Sequence, residues 1–189
     1  MPTVTVSPEV FEKVNFDAAV IAELARRLAA QAGVPDDAEI HIEVDESSPL
    51  GRTSSEIKGK SLTIQAMGGA FEDTRHLRKF SEPAATEVLG RLLYQAADRL
   101  SGRFDGAPSD VDLTLPQRTV WDAYAMGRLA RTGADVNQQR RRYHFRTRHG
   151  FTDLADTVFE RIWNAESLNW PDVEAACAET EAARMSAVR

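Results

Sequence analysis

The segment 138–149 has the highest density of chemically active side chains in the sequence. It reads Gln-Gln-Arg-Arg-Arg-Tyr-His-Phe-Arg-Thr-Arg-His, with five arginines in twelve residues and aromatic side chains between them. Guanidinium groups bind phosphates and carboxylates in bidentate geometry, and aromatic rings offer stacking surfaces. At about 100° per residue, these arginines point almost all around a helix. The pattern predicts a basic helix over 136–149 that contacts an acidic partner or phosphate.

An intramolecular role for the same arginines is the alternative. Residues 114–150 hold 8 arginines and 2 acidic residues, a net charge of +6, and residues 151–189 hold 8 acidic residues and 3 arginines, a net of −5. The chain has 19 arginines and 4 lysines, a bias typical of GC-rich coding sequences, so an arginine here is weaker support for ligand recognition. This balance favours pairing between the basic helix and the acidic helices that flank it.

Trp170 is the best candidate for an exposed contact outside the basic helix. Trp121 and Trp163 lie at core spacing, whereas Trp170, between Asn169 and Pro171, falls outside the apolar pattern. Amphipathic rings of this kind are common at interfaces. The residues predicted to bind a partner are Arg140, Arg141, Arg142, Tyr143, Arg146, Arg148 and Trp170.

Direct binding of nucleic acid is a further hypothesis for the helical half. Two predicted helices joined by Thr132-Gly133-Ala134 have the order of a helix-turn-helix, and Asn137, Gln138 and Arg141 are types that read base edges. The second helix lacks a regular apolar contact every third or fourth residue, and the net charge of −6 gives a poor long-range field for DNA. Both points disfavour the hypothesis.

A metal or small-ligand site is the competing hypothesis for the first half. His41, Glu43 and Asp45 share one face of a predicted strand and have side chains that suit a divalent ion. Alternating polar residues are also typical of a solvent-facing strand, which is the interpretation we favour. The loop 68–79, with Arg75 and His76, could bind an anion or form a solvated connector. We expect no cofactor and no metal.

Enzymatic motifs are absent from the sequence. It contains no Gly-x-Ser-x-Gly, no Gly-x-x-x-x-Gly-Lys-Ser/Thr and no Gly-x-Gly-x-x-Gly. Cys177 lies in an acidic predicted helix whose carboxylates oppose a thiolate, so we expect it to be a small buried residue. These observations favour a protein without enzymatic activity.

Alternating apolar residues in the first half predict strands over 3–6, 39–45 and 61–67. Helices are predicted near 8–14, from Asn15 or Asp17 to Gly33, and from Ser81 to Gly102. Residues 46–59 show no helical pattern, so strands 39–45 and 61–67 are expected to pair antiparallel. The loop 46–59 and the loop after Met67 would then lie at opposite ends of the pair.

The second half is predicted to be helical throughout. Thr114 and Gln117 have capping-box spacing, and further helices are expected from Asp135, Thr152 and Pro171. The sequence thus predicts an α+β fold, a small mainly antiparallel sheet with packed helices followed by an all-α C-terminal subdomain. The predicted boundaries are 1–104 for the α+β domain, 105–112 for a linker and 113–189 for the helical subdomain.

The helix-strand-strand-helix order in the first half is similar to that of small zincin-type metallopeptidase domains. In that family the long helix carries His-Glu-x-x-His, but the predicted helix 83–101 contains no histidine. The residues that would hold zinc and activate water are therefore missing. The resemblance implies at most a degenerate metallohydrolase-like domain without that activity.

Composition excludes several classes of protein. No run of eighteen apolar residues exists, the first residues lack the pattern of a secretory signal, and one cysteine cannot form an internal disulfide. We therefore expect a cytoplasmic protein that does not enter the membrane. The leading hypothesis is a non-enzymatic interaction module that binds a protein partner through the basic helix.

Overall fold

The computed structural model describes residues 1–73 and 75–187, which fall into two units, Met1–Leu100 and Ser101–Arg189. The first unit combines a small sheet with helices, and the second contains helices joined by turns and loops. The predicted α+β class with an all-α C-terminal region is confirmed. None of the helices within the described residues combines the length and the apolar content needed to cross a bilayer.

The first unit builds one four-stranded sheet, a short hairpin and two long helices. Its elements are β1 (Thr3–Ser7), α1 (Ala18–Ala32), β2 (Glu39–Asp45), β3 (Thr53–Lys58), β4 (Ser61–Met67), β5 (Glu72–Asp73), β6 (His76–Phe80) and α2 (Glu82–Leu100). The strand order is β1-β2-β4-β3, and β5 pairs with β6.

The core of this unit lies on one face of the sheet. Ile40, Ile42, Leu62 and Ile64 are at most 1% exposed, because every second side chain of a strand points to the same face. Helices α1 and α2 pack against each other, α1 contacts β1, and α2 contacts β3. The opposite sheet face carries polar residues that are half-buried or exposed.

Strands β2 and β4 are parallel, so the prediction of an antiparallel pair is wrong. Residues 53–58 form the additional strand β3, which runs antiparallel to β4 around a turn at Gly59, where φ is +61°. This second reversal makes β4 run in the same direction as β2. The sequence of β3, Thr-Ser-Ser-Glu-Ile-Lys, has one apolar residue because β3 is an edge strand.

The parallel alignment also places two loops together that were expected at opposite ends. Asp45 is in register with Met67, so the loops after β2 and β4 start side by side. The backbone N–H of Gly69 donates to the carbonyl oxygen of Ser48 at 3.2 Å, and that of Met67 donates to Arg52 at 3.0 Å. Both loops therefore contribute to one end of the sheet.

A further prediction for the first unit is wrong: residues 8–14 form an irregular loop instead of a helix, and Glu46 Oε2 accepts from the backbone N–H groups of Glu12 and Lys13 at 2.9 and 2.7 Å. The charged stretch after Gly69 includes the antiparallel β5–β6 hairpin, in which His76 Nδ1 lies 2.8 Å from Asp73 Oδ2. The predicted starts of the two long helices are confirmed, with Asp17 capping α1 and Ser81 Oγ accepting from Ala84 N–H at the start of α2.

The second unit contains α3 (Leu115–Arg131), α4 (Gln138–His149), α5 (Asp153–Asn164) and α6 (Trp170–Ala187). The predicted capping box of Thr114 and Gln117 is present at the start of α3. Aromatic rings dominate the core: Phe104 stacks on Trp121 with ring centroids 4.6 Å apart, and Phe145 contacts Phe159 at 5.6 Å. Residues 101–112 form turns and loops without a strand or helix.

We predict that Gly69→Ala destabilises the first unit, because the new Cβ would lie 2.0 Å from the carbonyl oxygen of Pro49. The backbone of one loop must then move, at a cost of roughly 1–3 kcal/mol. Urea unfolding measures the loss. Gly51→Ala is the matched control, because its Cβ meets no atom within 4 Å. Equal unfolding midpoints for Gly69→Ala and wild type would contradict the close loop contact.

Candidate functional site

Helix α4 is held in the second unit by two rings on one side. Phe145 and His149 are 1% and 4% exposed, and their rings stack with centroids 4.0 Å apart. The helix begins at the Asn137 cap, whose side chain accepts from the backbone N–H of Arg140 at 2.9 Å. The sequence of α4 did not predict this buried contact, because one of its two core residues is a histidine in an otherwise polar helix.

Two of the arginines face acidic residues of α5. Arg146 makes a bidentate contact with Asp156, Nε to Oδ1 at 2.7 Å and Nη2 to Oδ2 at 2.5 Å, and Arg142 pairs with Glu160. The hydrogen bond from Arg146 lowers the pKa of Asp156 below its usual 3.8. For these two arginines the structure supports the intramolecular interpretation, and they hold α4 on α5.

The opposite side of α4 is exposed and carries both charge and aromatic surface. Tyr143 is 59% exposed and Phe151, just beyond the helix, is 64% exposed, with ring centroids 5.8 Å apart. Arg140, in the turn before Tyr143, and Arg148, in the last turn of the helix, are exposed as well. We call the exposed surface formed by Arg140, Tyr143, Arg148 and Phe151 the α4 face. Phe151 was missed because it follows the helix-ending Gly150, and periodicity within the helix does not include it.

Trp170 is buried, so its predicted exposure is wrong. The side chain is 4% exposed, at the first position of α6, and its ring lies 5.9 Å from that of Trp121 and 6.3 Å from that of Phe104. The backbone N–H of Trp170 also donates to the carbonyl oxygen of Arg103 at 3.2 Å. Its ring packs with residues distant in sequence, which the local pattern around Asn169 and Pro171 could not reveal.

The residues proposed to read DNA bases make contacts within the second unit. Asn137 uses its side-chain oxygen as the cap of α4, and Gln138 Nε2 lies 3.4 Å from Glu160 Oε2. Both contacts orient these amides toward the protein. They disfavour the helix-turn-helix hypothesis, which needs these side chains at the DNA.

The three polar side chains of β2 considered as metal ligands each form a hydrogen bond with a different neighbouring residue. His41 Nδ1 lies 2.7 Å from Thr5 Oγ1, Glu43 accepts from Gln65, and Asp45 accepts from the backbone and hydroxyl of Ser47. Among residues 1–73 and 75–187, no group of three or more His, Cys, Asp or Glu side chains is arranged to hold a metal ion. The sequence of α2 likewise contains no histidine.

Cys177 is half-buried, whereas the sequence predicted a fully buried residue, and it lies beside a small cavity of about 340 Å³ that is also lined by Pro116, His149 and Thr180. Burial and the neighbouring Glu174 raise the pKa of the Cys177 thiol to about 11. The thiol is therefore protonated at neutral pH and is a poor nucleophile.

Comparison with known proteins gives no match: no protein-family model, no curated protein and no solved structure is similar to this chain.

His149 connects α4 to both neighbouring helices. Its Nδ1 lies 2.8 Å from Thr180 Oγ1 of α6, and its Nε2 lies 3.0 Å from Thr119 Oγ1 of α3. Burial lowers the pKa of His149 below its usual 6.5, and the hydrogen bond with the Pro116 carbonyl opposes this effect. The neutral imidazole is therefore the form that the folded protein favours near pH 7.

We predict that the second unit loses stability as the pH falls below 6.5, because the unfolded chain then binds a proton that folded His149 disfavours. The loss levels off once the pH passes below the folded-state pKa. His149→Gln should reduce the difference between urea midpoints at about pH 7.5 and pH 5.5. Part of the pH dependence of stability should remain in this variant, because burial also lowers the pKa of His144. His41→Gln is the control, and an unchanged pH dependence in His149→Gln would contradict the assignment.

We also predict that the arginines of α4 differ in their structural roles. Arg146→Ala removes the bidentate contact with Asp156 and should lower the thermal midpoint of the second unit. Arg140→Ala should leave that midpoint unchanged, because this side chain lies on the exposed side of the helix. Calorimetry compares the two variants. Equal midpoints would show that the Arg146–Asp156 contact does not stabilise the fold.

Proposed function

We propose that this chain is a cytoplasmic, non-enzymatic interaction module that binds an acidic segment of a protein partner through the α4 face. The observation that carries the proposal is the exposed contact between Tyr143 and Phe151, with the exposed Arg140 and Arg148 in the first and last turns of the same helix. Arg142, Arg146 and Trp170, which were also predicted to bind a partner, serve the fold of the second unit and are not part of the proposed surface.

The aromatic pair supports partner binding on energetic grounds. Burying an exposed aromatic side chain contributes about 1.5–3 kcal/mol, and tyrosine, phenylalanine and arginine are enriched in the centres of interfaces. Both rings remain more than half exposed although other aromatic residues of the unit are almost fully buried. A partner that covers both rings would remove this apolar area from water.

The charges around the rings favour an acidic partner. Burial and the nearby Arg140 and Arg141 lower the pKa of His144, so this residue adds little charge at neutral pH. The exposed guanidinium groups of Arg140 and Arg148 remain as bidentate donors for carboxylates. Complementary charges of this kind accelerate association and select the partner.

The environments of His149 and Cys177 in the second unit support the non-enzymatic part of this proposal. His149 is enclosed between Thr119 and Thr180, and the Cys177 thiol is protonated at neutral pH. A single cysteine also accords with a reducing compartment, where disulfides are rare.

We predict that replacing Tyr143 and Phe151 together by serine weakens partner binding by roughly tenfold or more, since each ring contributes at the centre of the surface. Affinity capture with quantitative mass spectrometry identifies proteins retained by the wild type and lost with the variant. Titration calorimetry with the purified partner then measures the affinity.

The control replaces Val111 and Leu115, which are 87% and 51% exposed, by serine. This variant removes exposed apolar surface from the same unit and should retain the partner. Equal retention of every captured protein by both variants would contradict the proposal. Loss of the captured material on nuclease treatment would also contradict it and would identify nucleic acid as the ligand.

A further inference from the structure

A cleft of about 670 Å³ lies in the first unit, at the carboxyl ends of β1, β2 and β4. It opens on the polar face of the sheet, opposite the buried face that holds Ile42 and Ile64. Its size is within the range of small-ligand sites. The lining residues that bear on its chemistry are Glu43, Asp45, Arg52, Ser54, Gln65 and Met67.

Strand register arranges the polar lining residues in two rows. In one row Glu43 lies beside Gln65, which lies beside Ser54. In the next row Asp45 lies beside Met67. The Met67 N–H donates to the carbonyl oxygen of Arg52, the residue just before β3. Each row crosses two strand spacings, roughly 10 Å.

The cleft is therefore polarised across the sheet. Carboxylates of β2 form one wall, Arg52 and Ser54 form the other, and Met67 provides an apolar floor between them. Because Glu43 and Asp45 are two residues apart on one strand face, their carboxylates lie roughly 7 Å apart along β2. A ligand that matches this lining has a cation at one end, an apolar middle and an anion at the other end.

Hydrogen bonds within the sheet and the loop after β2 orient the polar groups of both walls. Gln65 accepts from Ser54 Oγ and donates to Glu43 Oε2, each at 3.3 Å. Asp45 Oδ1 accepts from the backbone and hydroxyl of Ser47 at 3.0 and 2.6 Å. One oxygen of each carboxylate is oriented by these contacts, which leaves the other placed to accept from a ligand.

Met67 is positioned by the contact between the loops that follow β2 and β4. Ser48 Oγ lies 3.2 Å from Met67 Sδ, and Gly69 N–H donates to the Ser48 carbonyl at 3.2 Å. Preorganised walls and floor reduce the conformational entropy that a ligand would otherwise lose on binding.

We infer that this cleft binds a basic amino acid, either free or at the carboxyl end of a peptide. The side-chain cation lies between Glu43 and Asp45, the methylene groups cover Met67, and the α-carboxylate meets Arg52. A guanidinium or ammonium group on a three- or four-carbon stem fits the spacing between the walls. The inference concerns the first unit and does not depend on the α4 face.

Titration calorimetry with L-arginine tests the inference, and two analogues each remove one charge. Citrulline has a neutral group in place of the guanidinium, and argininamide lacks the carboxylate. We expect each analogue to bind at least about tenfold more weakly than arginine. Gly-Gly-Arg separates the two sources: binding of the tripeptide but not of free arginine indicates a peptide terminus, and binding of arginine indicates the free amino acid.

Variants assign each charge to its wall. Glu43→Gln retains an acceptor for Gln65 and should reduce the preference for arginine over citrulline, because Asp45 remains as the second carboxylate of that wall. Arg52→Gln should abolish the preference for arginine over argininamide. Glu56→Gln is the matched control, because Glu56 lies on the same sheet face outside the cleft and pairs with Lys58. It should leave all affinities unchanged.

Three results would overturn the inference. One is the absence of binding by arginine, lysine and Gly-Gly-Arg at about 10 mM, far above the range of specific sites. Another is equal affinity for arginine and citrulline in the wild type. The third is an equal loss of affinity in Glu56→Gln and Glu43→Gln, which would indicate diffuse attraction to an acidic surface.

Discussion

The parallel pairing of β2 with β4 determines the arrangement of the first unit. Ile40, Ile42, Leu62 and Ile64 must share the buried face, and a slip of one residue would turn these side chains toward solvent. The register that satisfies this requirement places Asp45 beside Met67. The two following loops then meet so closely that Gly69 has no room for a side chain beside Pro49. The polar cleft is a consequence of this alignment.

A different constraint operates in the second unit, where a very polar helix must be attached to a core. Helix α4 achieves this with Phe145 and His149 on its buried side and with Arg142 and Arg146 paired to acidic residues of α5. The arginines thus divide into a set that serves the fold and a set on the α4 face. The density of charge along the sequence does not separate these two sets, because it counts every arginine of the helix alike.

Much of the local structure was predictable because its causes are local. Asp17 caps α1, Thr114 and Gln117 form a capping box, and alternating apolar residues mark β2 and β4. The candidate site was predicted in part. Arg140, Tyr143 and Arg148 are exposed on α4, whereas Phe151 was missed and Trp170 is buried. β3 was missed because an edge strand with one apolar residue lacks the alternation that identifies a strand.

The sequence by itself determined the fold class, the caps of the principal helices and the alternating charge of the helical half, since these depend on neighbouring residues and on composition. Only the tertiary structure decided the direction of β4, the meeting of the loops after Asp45 and Met67, and the partners of the α4 arginines. Each of these depends on contacts between residues far apart in sequence. An arginine has the same charge beside Asp156 as it has in water, and only packing in three dimensions distinguishes the two.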